Sequence, residues 1–224
     1  GKRADDAGNN DDGKNDVLGC PGDITNQNDI NNIYKKIINN YGKLDILVNN
    51  ACLLGLGYNF IKTPVELWKN VIEVNVNGLF YCSQKAARIM KKQNKGVIIN
   101  ISSNASKRAL RKRSAYTTSK GAIDAATRAM ALDLAPYNIR VNTVVPGDIK
   151  TSRWDKISKE EAKIRKNIIP LKREVFPSDV GNAVVFLASD KAKNITGVRL
   201  VVDGGINGQM LPENCELQKE FVEK

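Results

Sequence analysis

Two residues four positions apart, Tyr116 and Lys120, have the types and the spacing needed for proton transfer. Residues four apart share one face of a helix. A cation held beside a phenol favours the phenolate, whose ordinary pKa of about 10 is otherwise too high for proton transfer near neutral pH. Ser103, at the end of the apolar run 97–101, could hold a substrate oxygen against that phenol. The three side chains predict a proton-transfer site for a carbonyl or an alcohol, although the Tyr–Lys spacing alone is also common on solvated helix surfaces.

The composition excludes several other kinds of site. The 224-residue chain contains no histidine, which excludes Ser-His-Asp and Cys-His catalysis. Its cysteines lack metal-ligand spacing, so we expect no metal site and reduced thiols in a cytoplasmic protein. No run approaches the roughly 18 apolar residues of a membrane span, and the first residues have no signal-peptide pattern. The four cysteines are Cys20, Cys52, Cys82 and Cys215.

The net charge of +11 is unevenly distributed. Residues 1–30 carry three basic and seven acidic side chains, so the remainder carries +15. Most lysines alternate with acidic residues at helix-surface spacing, which favours a solvated surface over nucleic-acid binding. The exception is 107–113, with five cations in seven residues between Ser103 and Tyr116. This segment either binds an anionic substrate, phosphorylated or carboxylated, or is a mobile solvated loop.

Apolar strands alternate with helical patterns along the chain. Such strands, rich in Val, Ile and Leu, predict an α/β fold with a parallel sheet covered by helices on both faces. Ligands of such a sheet bind at the carboxyl ends of its strands, where Asn49, Ser103 and the Pro146-Gly147 turn fall. The predicted strands are 16–20, 45–49, 96–102, 139–145 and 198–202, and the predicted helices are 28–41 capped by Asn26, 65–94, 114–135 and 178–188 capped by Ser178.

Residues from about 17 to 208 resemble the short-chain dehydrogenase/reductase family, whose motifs they match in order and spacing. The resemblance implies a Rossmann-like, doubly wound parallel sheet and hydride transfer between NAD or NADP and a small-molecule carbonyl or alcohol. It also implies a homo-oligomer, a dimer or a tetramer, formed through the long helices. The matching motifs are Gly22-Asp23-Ile24-Thr25, Leu44 to Ala51, Asn75-Val76-Asn77-Gly78, Ile101-Ser102-Ser103, Tyr116 to Lys120, Pro146 to Thr151, Ile195-Thr196-Gly197 and Val202-Asp203-Gly204-Gly205.

The same resemblance implies a role for each matching residue. Tyr116 would be the general acid/base, and Lys120 would depress its pKa and bind the nicotinamide ribose. Ser103 would orient the substrate oxygen, and Asn75 would hold a water through which Lys120 relays protons. Each residue could instead have only a structural role, such as capping a helix or ending a strand. The implied cofactor contacts, besides Tyr116 and Lys120, are Asp23 and Ile24 at the adenine, Asn49 and Ala51 along the ribose, and Ile149 and Thr151 at the carboxamide after the Pro146-Gly147 turn.

The sequence departs from the family pattern in two ways. The Gly-rich phosphate-binding fingerprint and the first two strands have no counterpart, and the polar residues 1–16 are predicted to be disordered. In addition, Cys52 replaces a family glycine and could crowd the close backbone approach that glycine allows. In the family's sheet the first strand lies beside the fourth, and strand 45–49 corresponds to that fourth strand. Without the first strand beside it, we expect strand 45–49 to expose an apolar edge.

These departures leave two functions open. The first is an NAD(P)-dependent oxidoreductase that is active when its N-terminal segment is present. The second is a truncated, catalytically inactive reductase-like binding or scaffold protein, which predicts that millimolar NAD or NADP does not protect this chain from thermal unfolding. We expect a fragment of a complete reductase rather than a true short form, with a disordered segment 1–16, a truncated domain 17–210 and a tail 211–224.

Overall fold

A parallel four-stranded sheet with helices on both faces forms the centre of the fold. The computed structural model describes residues 17–212 and residue 215. The strands are adjacent in chain order: β1 (Ile46–Asn49), β2 (Gly96–Ile101), β3 (Ile139–Pro146) and β4 (Arg199–Val202). The helices are α1 (Gln27–Tyr41), α2 (Val65–Ile72), α3 (Leu79–Gln93), α4 (Ser114–Leu134), α5 (Lys159–Asn167) and α6 (Pro177–Ala188).

Each face of the sheet buries an apolar core of its own. On one face, Ile98 and Val141 pack with Met90 of α3 and with residues of α1 and α4. On the other face, Val97 and Val144 pack with Leu187 of α6. Successive side chains of a strand point to opposite faces, so covering both faces requires near-continuous apolar strands. The predicted α/β fold with helices on both faces is confirmed.

Local sequence signals set the ends of α1 as predicted. The Asn26 side chain accepts a hydrogen bond from the Asn28 N–H at 2.8 Å and caps the first turn. The helix ends where Gly42 adopts a left-handed conformation with φ of 70°.

The predicted cap of α6 is wrong. The helix begins at Pro177, one residue before the predicted Ser178 cap, and Phe176 precedes it. Proline suits the first helical position because the N–H that it lacks has no partner there. The Phe176 N–H donates instead to the Asp179 carboxylate at 2.8 Å.

Three other segments differ from the sequence prediction. The predicted helix 65–94 is divided by a π-helical turn, Glu73–Gly78, between α2 and α3. The charged segment after β3 contains α5. Of the predicted strand 16–20, residues 17–20 form no strand, and Val17 is 78% exposed. A strand so short needs a neighbour to pair with, and none is present among the described residues.

Strand β1 is an edge strand in the described part of the chain. It pairs with β2 alone, and Ile46 and Val48 remain 45% and 41% exposed. The expected open apolar edge is therefore present. The predicted disordered segment 1–16 and most of the predicted tail 211–224 lie outside the described residues. Among the helices that are described, none is long and apolar enough to cross a bilayer.

Candidate active site

The Tyr116 and Lys120 side chains are buried together on one face of α4. They are 8% and 3% exposed, and Lys120 Nζ lies 5.6 Å from the centroid of the Tyr116 ring. Nζ also donates a hydrogen bond of 2.8 Å to the carbonyl of Ile101, the last residue of β2. The two residues share a helix face, as their spacing predicted, and the pair lies at the carboxyl edge of the sheet.

Burial sets the electrostatics of Lys120. Desolvation disfavours the charged ammonium and lowers the pKa of Lys120 from its ordinary value. The nearby Cys52 side chain opposes this shift of the Lys120 pKa, and so does the negative charge of Asp124 one turn further along α4. The ammonium thus donates a hydrogen bond to a backbone carbonyl, and the Cys52 side chain and the Asp124 carboxylate lie near enough to affect its pKa.

Ser103 lies where β2 ends, in the loop that leads to α4. Its hydroxyl oxygen accepts a hydrogen bond from the Ala105 N–H at 3.1 Å and caps the short 3-10 turn Asn104–Ser106. A hydroxyl that accepts one bond can still donate its hydrogen to a substrate oxygen. The neighbouring Asn104 amide donates to Asp203 after β4 at 2.9 Å, which fixes the loop to the end of the sheet.

Asn75 occupies the π-helical turn and is 1% exposed. Its Oδ1 accepts from the Leu53 N–H at 2.7 Å, and its Nδ2 donates to the Leu53 carbonyl at 3.0 Å and to Ser119 Oγ at 2.9 Å. Both amide hydrogens are therefore used, and one acceptor lone pair is left for the water that the family resemblance implies. Ser119, whose hydroxyl donates to the Tyr116 carbonyl at 2.7 Å, was not singled out from the sequence.

Three of the four residues predicted to contact the adenosine side of a cofactor line one cavity. Ile24, Asn49 and Ala51 contribute to a largely apolar cavity of about 250 Å³ on the open side of β1. The fourth, Asp23, uses its carboxylate to accept hydrogen bonds of 2.8 Å from the Thr25 N–H and hydroxyl, which hold its pKa below the ordinary value. Ile24, Asn49 and Ala51 thus share this cavity, and Asp23 is not among its lining residues.

The segment predicted to contact the nicotinamide carboxamide follows β3 directly. A Cβ atom at Gly147 would lie 2.5 Å from Asp203 Cβ, so the turn after Pro146 packs closely against the residue that holds the Ser103 loop. Ile149 forms an isolated parallel bridge with Val175, and Thr151 precedes the 3-10 turn Ser152–Lys156. Their side chains are partly buried.

A buried polar network beneath the site was missed by the sequence analysis. Asn49 Nδ2 donates to Asn100 Oδ1 at 2.8 Å, and Asn100 Nδ2 donates to Thr127 Oγ1 at 2.9 Å. Thr143 Oγ1 donates to the same Thr127 oxygen at 2.8 Å, so β1, β2, β3 and α4 are joined. The available signal was a polar residue inside an apolar strand, as Asn100 is in Val97 to Ile101, because such a residue needs a buried partner.

Comparisons with known proteins agree with this architecture. A sequence model described as Enoyl-(Acyl carrier protein) reductase matches residues 3–207. Cyclopentanol dehydrogenase of Comamonas sp. (strain NCIMB 9872) is 40% identical over 185 residues, which are 82% of this chain and 74% of that protein.

Two solved structures have the same fold. The structure described as ElxO with NADP bound has a TM-score of 0.79 and 30% identity, and the alignment covers 84% of this chain and 77% of that one. NAD⁺-bound xylitol dehydrogenase has a TM-score of 0.77 and 32% identity, with 82% and 76% covered.

Proposed function

The chain belongs to the short-chain dehydrogenase/reductase family, and from that premise we propose that it is an NAD(P)-dependent oxidoreductase that interconverts a carbonyl and an alcohol. The observation that carries the proposal is the buried Tyr116–Lys120 pair at the carboxyl edge of the sheet. Ligands of parallel α/β sheets bind at this edge. A phenol and an ammonium that are buried together there are suited to proton transfer.

Each side chain of the pair has a defined part in that proton transfer. Tyr116 gives a proton to the substrate oxygen during reduction and removes it during oxidation. The Lys120 charge stabilises the phenolate that remains, and this effect is stronger in a buried site than in water. Ser103, at the end of β2, would donate a hydrogen bond to the same substrate oxygen, and Asn75 would hold the proton-relay water with its remaining lone pair.

The residues present fit a nicotinamide dinucleotide. Ile24, Asn49 and Ala51 line an apolar cavity suited to a flat adenine ring, and the Pro146–Thr151 segment lies at the same carboxyl edge as Lys120. When bound, NAD or NADP would supply or accept the hydride. The relatives support this choice, because one solved structure of similar fold binds NADP and another binds NAD⁺.

A substitution that removes only the phenolic oxygen tests the proposal. We expect Tyr116→Phe to lower the turnover of carbonyl reduction by about 100-fold or more, because general acid catalysis contributes that much. The far-ultraviolet circular dichroism and the thermal midpoint should stay at wild-type values, since the ring is retained. Tyr58→Phe, at an exposed tyrosine, is the matched control. Wild-type turnover by Tyr116→Phe contradicts the proposal.

The loop between Ser103 and α4 favours a substrate with an anionic group. Arg108 donates hydrogen bonds to the carbonyls of Ile206 and Asn207, at 2.9 and 2.8 Å, and attaches the loop to the segment after β4. Arg111 and Lys112, in the same loop, are exposed to solvent. The sequence contains no acidic residue between Glu73 and Asp124. An unbalanced positive charge at the mouth of a site attracts anions.

Paired substrates test this part of the proposal. We expect the double variant Arg111→Gln/Lys112→Gln to lower kcat/KM for a keto acid by about tenfold, while kcat/KM for the uncharged ketone of the same carbon skeleton stays unchanged. Lys92→Gln, which removes an exposed charge at the end of α3, is the control. Equal losses for both substrates would mean that the loop does not recognise charge.

A second candidate function is a catalytically inactive, reductase-like binding or scaffold protein. It is favoured by the absence of a Gly-rich phosphate-binding turn among the described residues and by Cys52 at a family glycine position. Thermal unfolding with millimolar NAD or NADP distinguishes the two candidates, because a ligand that binds only the folded state raises the midpoint. A raised midpoint supports the oxidoreductase, and an unchanged midpoint without turnover supports the inactive protein.

A further inference from the structure

Ser103 lies between two neighbours that are both tied to the sheet. On one side, the Ser102 N–H donates a hydrogen bond of 2.9 Å to the Val144 carbonyl of β3. On the other side, the Asn104 side-chain amide donates a hydrogen bond of 2.9 Å to the Asp203 carboxylate, directly after β4. These two bonds set the position from which the Ser103 hydroxyl projects. Only the bond of Asn104 uses a side chain, so a substitution can remove it alone.

The Asp203 carboxylate is suited to anchor that amide. Its side chain is buried, with 5% exposed, and both oxygens accept hydrogen bonds. Oδ1 accepts from the Gly205 N–H at 2.9 Å, and Oδ2 accepts from the Asn207 N–H at 2.6 Å as well as from Asn104. A carboxylate only accepts hydrogen bonds, so it can face three donors at once. The anchor is therefore fixed to the backbone of the turn that follows β4.

The same two side chains also contact the turn after β3. A Cβ atom at Gly147 would lie 2.5 Å from Asp203 Cβ and 3.3 Å from Asn104 Nδ2, so the glycine lets this turn pack directly on the pair. The Gly147 N–H also donates to the Val202 carbonyl at 3.0 Å. Gly147 leads into the segment that we propose for the nicotinamide. The pair thus relates the proposed substrate contact, Ser103, to the proposed cofactor segment.

We propose that Asn104 is a positioning residue that acts through the Ser103 hydroxyl, with the Asp203 carboxylate as its anchor. Without the amide, the Ser103 loop could shift relative to the Gly147 turn. A misplacement of about 1 Å at a reacting group can lower turnover strongly. The effect on turnover rests on the proposed oxidoreductase function, whereas the position of the hydroxyl can be measured without it.

The Ala105 N–H reports the position of the hydroxyl, because it donates to Ser103 Oγ at 3.1 Å. Hydrogen exchange of this amide is followed by NMR in the full 224-residue chain. We expect Asn104→Ala, and the similarly shaped Asn104→Leu, to make its exchange about tenfold faster. Asn40→Ala, which removes the hydrogen bond of an exposed amide on α1, should leave it unchanged. Unchanged Ala105 exchange in a folded Asn104 variant overturns the proposal.

The kinetics of carbonyl reduction test whether Asn104 acts through Ser103. We expect Asn104→Ala to lower kcat about tenfold in the wild-type background and to change it little in the Ser103→Ala background, where the hydroxyl is already gone. Equal losses in both backgrounds overturn the proposal, because Asn104 would then act by another route. A wild-type chain without turnover contradicts the proposed function instead, and the exchange of the Ala105 N–H then decides the positioning role by itself.

Discussion

At the scale of single residues, the site is organised around one buried positive charge. Lys120 is almost completely buried, and its ammonium donates a hydrogen bond to the Ile101 carbonyl. Such a charge is costly to bury, so its position must be fixed by the surrounding structure. The same cost makes its protonation responsive to the charges around it, on which the proposed proton transfer depends.

The depressed pKa of Lys120 has a consequence for stability. In the folded chain this pKa lies below its ordinary value of 10.5, chiefly because burial disfavours the charged form. Between the lowered pKa and 10.5 the unfolded chain binds more protons than the folded chain, so Lys120 makes the free energy of unfolding rise with pH in that window. Below the window both states are protonated and the cost of burying the charge is fully present.

We therefore expect the free energy of unfolding of wild type, relative to that of Lys120→Met, to increase as the pH rises through this window. Urea unfolding of both proteins at a series of pH values from neutral to about 10 measures the difference. Lys92→Met, at an exposed lysine on α3, should show a flat difference. A difference that is flat or falling for Lys120→Met would contradict the depressed pKa.

The sequence predicted the members of the site better than it predicted their partners. Tyr116 and Lys120 could be identified because their spacing is local and helical, and Ser103 because it ends an apolar strand. The partners of Asn75 are Leu53 and Ser119, which lie 22 and 44 residues away in the chain. Contacts of this kind depend on the packing of α2, α3 and α4, and no local sequence pattern predicts them.

At the scale of elements, α4 must be held against the sheet for the site to exist. Near its middle, Asp124 Oδ2 accepts a hydrogen bond of 2.6 Å from Arg199 Nε on β4, and these side chains are 7% and 14% exposed. Arg199 also donates to Ser106 Oγ at 2.9 Å, in the loop after Ser103. One guanidinium thus joins the helix that carries Tyr116, the Ser103 loop and the last strand.

Removing that guanidinium should be strongly destabilising. We expect Arg199→Met to lower the free energy of unfolding by about 3–5 kcal/mol, because it leaves the Asp124 carboxylate buried without its hydrogen-bonded partner. The double variant Asp124→Leu/Arg199→Met should be more stable than Arg199→Met, since no unpaired charge remains. Denaturant unfolding of the single and double variants measures both effects.

The control for this experiment is an ion pair of similar chemistry that is less buried. Arg165 pairs with Glu161 and Asp148, and its side chain is 34% exposed. Arg165→Met should cost only about 1 kcal/mol or less, because pairs that water can reach contribute little. Equal losses in the free energy of unfolding for Arg199→Met and Arg165→Met would show that burial does not decide how much an ion pair contributes to stability.

Elements with strong local signals were predictable, and those that depend on partners were not. Helix α1 has a side-chain cap and a glycine stop, and β2 is an apolar run with a single polar residue, Asn100, so both agreed with the sequence to within one residue. The π-helical turn Glu73–Gly78 has the same apolar periodicity as the helices beside it and left no separate signal. The predicted strand failed at residues 17–20, whose apolar side chains have no neighbouring strand in the part of the chain that the structure describes.

At the scale of the whole molecule, the surface combines apolar positions with a strong positive charge. Phe80 on α3 and Leu132 on α4 are 51% and 77% exposed, and both lie on helices that the family resemblance assigns to an oligomer interface. Their exposure supports that assignment, which stays a prediction. Within the described residues, the open side of β1 is different, because it presents unpaired backbone groups as well as apolar side chains.

An unpaired strand edge that is also apolar is a template for pairing with another chain. We expect Val48→Lys, at a β1 position that is 41% exposed, to raise the protein concentration at which self-association begins, since a charged side chain on an edge strand opposes edge-to-edge pairing. The free energy of unfolding should change by only about 0.5 kcal/mol, as is usual for a surface substitution. Light scattering and sedimentation velocity over a range of concentrations measure the association.

The matched control is Val185→Lys on α6, where an apolar side chain is 68% exposed but the helix satisfies its own backbone hydrogen bonds. If both variants reduce association equally, the cause is general surface charge, and the edge of β1 has no special part in it.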